Sequence, residues 1–116
     1  RGVQEAGDDG VVTFQSIFPA CYSGRWPHVH FEVYPSLALA TDETNKIATS
    51  QIALPKDICD QVYATDGYSS SVQTLSQVSL QSDMVFGDDG GVRQLGTISG
   101  SVADGLTVEL AVPVGA

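Results

Sequence analysis

Residues 19–34 read P-A-C-Y-S-G-R-W-P-H-V-H-F-E-V-Y, and the reading of this stretch decides the fold class and the candidate site. It carries both histidines, the only tryptophan and two of the four tyrosines. From residue 28 to residue 33 polar and apolar side chains alternate, the period of a half-buried β-strand. Residues two apart on a strand share a face, so His28 and His30 are expected to project together, with Val29, Phe31 and Val33 packed on the opposite side. Two imidazoles at that spacing suit one zinc, copper, iron or nickel ion. The same pattern is also the solvated side of an ordinary amphipathic strand, and motifs this short give many false matches. Tyr22 lies across a loop containing Ser23, Gly24 and Pro27, and this loop is placed to fold the phenol back towards the histidines.

Working outward, Gly7-Asp8-Asp9-Gly10 reads as a hairpin turn between strands at 3–6 and 11–18, the second closed by Pro19. The acidic turn lacks the ligand pattern of an EF-hand calcium loop. After the histidine strand, residues 35–45 read as a loop and 46–54 as another strand, with Ile47, Thr49, Gln51 and Ala53 on one side. Residues 55–64 fit one or two helical turns, since Pro55 suits a first turn and Ile58, Val62 and Tyr63 fall near helical spacing. Residues 65–82 are polar and read as a surface loop with room for a short helix. Gly87-Asp88-Asp89-Gly90-Gly91 is a turn. Residues 92–102 and 106–112 form a final hairpin about Ala103-Asp104-Gly105. Short strands, Gly-rich turns and little helix predict an all-β chain, an antiparallel β-sandwich of immunoglobulin or prealbumin type, as a single domain over 1–116.

The 116 residues carry 14 acidic and 5 basic side chains, a net charge of −9. That excess argues against nucleic acid and anionic membranes as partners, because phosphate binding needs basic patches. No apolar run approaches the roughly 20 residues that span a bilayer. Cys21 and Cys59 are compatible with one disulfide, with two buried thiols, or with neither. A bridge would point to an exported protein, as do the few lysines and the many Ser, Thr and Gly residues. No G-x-S-x-G nucleophile elbow is present, which sets a serine hydrolase aside. Composition is compatible with a homo-oligomer and does not select one.

The run T-F-Q-S-I-F-P-A-C-Y-S-G-R-W-P-H-V-H-F over residues 13–31 resembles the metal-binding segment of the intradiol ring-cleavage dioxygenases, the catechol and protocatechuate dioxygenase family. The specific part is Tyr22, then Gly24-Arg25, then His28-Val29-His30-Phe31. Ala48-Thr49-Ser50-Gln51-Ile52 resembles the family's strand after the histidines, and G-T-I-S-G-S-V-A-D-G-L-T-V-E-L over 96–110 is similar to closing strands of a bacterial subgroup. The resemblance implies a non-haem Fe(III) enzyme that cleaves a small aromatic diol with O2, in aromatic-compound catabolism. It implies His28, His30 and Tyr22 as metal ligands, with Tyr22 leaving the metal to accept a substrate proton. It implies Arg25 as the group that steadies charge on the activated substrate and Gln51 as a polar pocket residue. Tyrosinate is a hard anionic ligand suited to Fe(III), and a bound cation favours the deprotonated phenol.

The family's iron has a second tyrosinate, and the resemblance places it upstream of Arg1. Tyr34, Tyr63 and Tyr68 do not match it, and Tyr34 lies roughly 13–20 Å along the strand from the histidines. The chain is therefore expected to be N-terminally truncated or to carry an incomplete site, with iron absent in the latter case. The alternative is a non-catalytic β-sandwich binding or structural module with a vestigial, zinc or copper site of His28, His30 and Tyr22.

Overall fold

A computed structural model describes residues 1–115. Its elements run β1 (His28–Val33), 3-10 turns at Leu37–Leu39 and Glu43–Asn45, β2 (Ala48–Ala53), α1 (Lys56–Tyr63), α2 (Ser69–Leu75), β3 (Thr97–Ser101) and β4 (Gly105–Glu109). The strands make two small antiparallel sheets, β1 with β2 and β3 with β4; strand accounts for 20% of the chain and helix for 18%. No closed sandwich is formed among the described residues. The chain divides into two compact units, one of residues 1–17, 30–50 and the segment from Pro113, the other of residues 18–29 and 51–112.

The first unit holds the N-terminal arm and most of the β1–β2 hairpin. The Gly7–Gly10 turn forms as expected: Gly10 N–H donates to the Gly7 carbonyl, and Asp9 Oδ1 accepts from Val11 N–H. The flanking strands expected at 3–6 and 11–18 do not form. Val3, Val11, Val12, Phe14 and Ile17 all remain exposed, so nothing covers the apolar side chains of these segments. A two-stranded ribbon with no further strand or helix packed on it is marginal in water. Across the hairpin, Ile47 N–H donates to the Val33 carbonyl and Thr49 Oγ1 to the Phe31 carbonyl. Asp42 caps the second 3-10 turn through Thr44 N–H.

The second unit contains the core: Cys21, Trp26, Ala53, Leu54, Ile58, Cys59, Val62, Tyr63, Leu75 and Phe86. Helix α1 turns Ile58, Cys59, Val62 and Tyr63 inward, the stripe expected for period 3.6. Its polar side carries the Lys56–Asp60 pair at 2.7 Å. Helix α2 buries Ser71 and Leu75, its two inward residues being one turn apart. Tyr63 and Tyr68 stack at 5.6 Å, and their hydroxyls donate to the Pro19 and Phe18 carbonyls, each at 2.8 Å. The two tyrosines thus tie the chain just before the Tyr22–His28 loop to the helical layer.

The last hairpin is shorter than expected, 97–101 with 105–109 in place of 92–102 with 106–112. Residues 91–94 are used in a turn closed by Gln94 N–H to the Gly91 carbonyl, and Leu95 makes a parallel bridge to Ala53. Gly100 sits at φ +88° with its α-carbon facing the Gly105 carbonyl, so a side chain there would collide with backbone.

Both cysteines are free, buried thiols, and no disulfide links them. Burial raises the Cys59 thiol to about 12, with Asp60 and Cys21 adding to it, and burial raises Cys21 in the same direction. Thiolate is the reactive form, so both are inert in the native state. A thiol reagent at pH 8 is expected to label neither cysteine until denaturant is added, and then to label both. Rapid labelling of the native protein would contradict this burial.

Candidate functional site

The loop from Tyr22 to His28 is held at its start, middle and end. At its start Cys21 N–H donates to the buried Ser71 Oγ at 3.1 Å. At its end Leu54 N–H donates to the Pro27 carbonyl at 3.0 Å, and Trp26 Nε1–H donates to the Leu54 carbonyl at 2.8 Å. Between them Gly24, at φ +87°, lets the chain turn so that Arg25 N–H reaches back to the Tyr22 carbonyl. Trp26 is buried, while Arg25 and His28 on either side of Trp26-Pro27 are partly exposed.

His28 Nδ1 lies 2.6 Å from the Trp26 carbonyl. A carbonyl only accepts, so Nδ1 is the donor in this contact, and the neutral tautomer that makes it has its lone pair at Nε2. Tyr22 Oη stands 3.5 Å from that Nε2, with the two rings edge to face at 5.7 Å. The Phe86 ring also lies against the imidazole, 6.5 Å away and edge to face. Tyr22 is 59% exposed, so its hydroxyl is open to solvent.

Arg25 lies between Asp83 and Gln51. Its Nε–H donates to Asp83 Oδ2 at 2.8 Å, and Nη2 reaches both Gln51 Oε1 at 2.5 Å and Asp83 Oδ1 at 3.4 Å. Nη1 makes no hydrogen bond among the described residues, leaving one edge of the guanidinium for an anion. Asp83 is fully buried by side chain and also accepts from the N–H groups of Trp26 (2.7 Å), Val85 (2.8 Å) and Phe86 (3.0 Å). Burial alone raises its carboxyl. The bonds from Arg25 and the three N–H groups outweigh that and bring it down to about 2.

His30 follows in the first unit, on the exposed side of β1. Its Nε2–H donates to Glu32 Oε2 at 3.1 Å; Tyr34 donates to Glu32 Oε1 at 2.7 Å, and Lys46 lies 3.8 Å from Glu32. The bond from Tyr34, then that from His30, lowers the Glu32 carboxyl, and the same bond pushes the Tyr34 phenol up to about 12. Val29 is exposed, whereas Phe31 and Val33 are half-buried, so the apolar side expected for β1 is only partly covered.

Among the described residues no group of three or more His, Cys, Asp or Glu side chains is gathered for a metal ion. A tyrosinate and an imidazole nevertheless form a donor pair of the right chemistry for a ferric ion. Two donors about 2.0–2.1 Å from one ion at tetrahedral to trigonal angles stand roughly 3.3–3.6 Å apart, and the Tyr22–His28 separation of 3.5 Å falls in that range. The Nδ1 bond to a backbone carbonyl is the usual outer support of a ligating histidine. These two groups are compatible with the metal that the sequence resemblance implies, whereas His30, the third ligand it implies, is bonded to Glu32. Asp83 carried no mark in the sequence beyond its place before a turn; its acceptance of N–H groups two and three residues on is the local part of its role. No family model matches the chain, and neither a curated protein nor a solved structure does.

Proposed function

We propose that the chain is a dioxygenase of the intradiol type, acting on a small aromatic diol with O2. The observation that carries the reading is the Tyr22–His28 pair, hydroxyl and Nε2 3.5 Å apart, with the other ring nitrogen tied to the Trp26 carbonyl. The two small antiparallel sheets are read as parts of the β-sandwich of that family. Tyr22 and His28 would hold the ferric ion, and the resemblance adds His30. When bound, that ion supplies the site at which a catechol is chelated and made reactive towards O2, both oxygen atoms entering a muconate-type diacid.

The protein's own groups have distinct tasks. His28, with its tautomer fixed, presents Nε2 without a proton. Tyr22, on a solvent-exposed loop, would as its phenolate take a proton from the incoming diol. Arg25 offers Nη1 to the negative charge that develops on the ring. Gln51 holds Nη2 and so sets the plane of the guanidinium.

The test is to load the purified chain with iron and record its visible spectrum. A broad charge-transfer band, lost in Tyr22→Phe, is expected, together with absorbance of a muconate product from catechol. In Tyr22→Phe, turnover should fall by about 10²-fold or more, the scale of losing an acid–base group. Binding of zinc or copper in place of iron, without the iron charge-transfer band and without product, would favour the non-catalytic module and reject this reading.

A further inference from the structure

Asp83 lies far along the chain from Tyr22 and His28, yet the groups that hold them converge on it. Its Oδ2 takes Arg25 Nε–H and Trp26 N–H, and its Oδ1 takes Val85 N–H and Phe86 N–H. Trp26 supplies the carbonyl bonded to His28 Nδ1, and Phe86 supplies the ring packed against the same imidazole. The turn that carries Asp83 is itself closed, by Gly87 N–H to the Asp83 carbonyl at 2.8 Å and Asp83 N–H to the Ser79 carbonyl at 3.1 Å. A Cβ at position 87 would stand 2.6 Å from the Asp83 carbonyl oxygen, so glycine is required for this closure.

We infer that Asp83 is the positioning residue of the Tyr22–His28 loop: its carboxylate fixes the Arg25 guanidinium and, through the backbone of Trp26 and Phe86, the two groups that orient His28. The geometric half of this stands on the hydrogen bonds alone; its consequence for turnover rests on the reading above. A carboxylate is needed because only an acceptor on both oxygens can satisfy a guanidinium and three N–H groups at once. An amide at this position would turn one of the two oxygens into a donor aimed at other donors. Gln51 cannot substitute, because it meets only Nη2.

The first measurement is hydrogen exchange by NMR on the metal-free protein. Arg25 Nε–H is expected to exchange about 100-fold or more slowly than the Nε–H groups of the exposed Arg1 and Arg93. Exchange as fast as theirs would overturn the inference, and this result needs no variant. In Asp83→Asn, Arg25 Nε–H should lose at least about tenfold of its protection, and the His28 Nδ1–H resonance should shift or broaden. Leu75→Ala, a core truncation in α2, should lower the melting temperature and leave both signals in place. Equal effects in the two variants would reduce Asp83 to a general structural residue. In the iron-loaded protein Asp83→Asn should lower kcat by about 10–100-fold, the range for residues that support a metal ligand, with KM changed far less. Protected Arg25 in a wild-type protein that never turns over catechol would support the positioning role and reject the dioxygenase reading separately.

Discussion

Replacing Arg25 with alanine is expected to lower the unfolding free energy by about 3–5 kcal/mol, the range for removing one partner of a buried ion pair. The reason is what remains behind. Asp83 is wholly enclosed and Arg25 only 13% exposed, so water does not take the place of the guanidinium. The three backbone N–H groups still solvate the carboxylate, which favours the lower end of the range. For a small domain with 5–15 kcal/mol in total, about 3 kcal/mol is a large share. Arg93→Ala, at an exposed position, should change stability by no more than about 0.5 kcal/mol. Removing both partners in Arg25→Ala with Asp83→Asn should be less damaging than the sum, because the stranded charge disappears. Complete recovery is not expected, since Asn offers one acceptor oxygen where three N–H groups need partners. Urea titration of the four proteins measures all of this. An Arg25→Ala loss below about 1 kcal/mol would mean that the carboxylate is hydrated after all.

Much of this molecule was legible from local pattern, and what was missed depended on distant partners. Alternation from His28 to Val33 marked β1, and Ile58, Val62 and Tyr63 marked α1. The Asp-Gly turns at Gly10 and after Asp104 form where the dipeptides predicted them. In each case the information lies within a few residues, which is where period and turn chemistry act. The N-terminal strands failed because a strand is completed by its neighbour. Val11, Val12, Phe14 and Ile17 have suitable side chains and no sheet to receive them. Residues 92–94 look like strand and are spent on a turn closed at Gly91. At the site, sequence singled out Tyr22, Arg25, His28, His30 and Gln51. The structure joins Tyr22 to His28, and Arg25 to Gln51, while His30 is engaged by Glu32. Asp83 was invisible for the same reason as the missing strands. One carboxylate among 14 acidic residues acquires meaning only when Arg25 is folded against it.

Lowering the pH tests that carboxylate without a mutation. Its value in the folded protein is about 2, against an ordinary 3.8 for aspartate. The folded state therefore binds this proton more weakly than the unfolded state does. By linkage, the stability it contributes is present above about pH 5 and is lost as the pH falls through 3.8 towards 2 and below. The gap corresponds to roughly 2 kcal/mol. Other carboxylates titrate in the same window, and neutralising them also relieves the repulsion of a net charge of −9, which acts in the opposite direction. A single acid-unfolding curve mixes these effects. The difference between the wild-type protein and Asp83→Asn removes the shared part, because every other group is common to both. At pH 7 the wild type should be the more stable, by the worth of the charge and of the lost acceptor. Between pH 5 and about pH 1.5 that difference should shrink by roughly 2 kcal/mol, because protonated Asp83, like asparagine, carries no charge for Arg25. It should not reach zero, since a carboxylic acid and an amide place their donors differently. Curves that run parallel over the whole range would show that Asp83 keeps an ordinary aspartate value, and hence that Arg25 and the three N–H groups do not hold it as the structure describes.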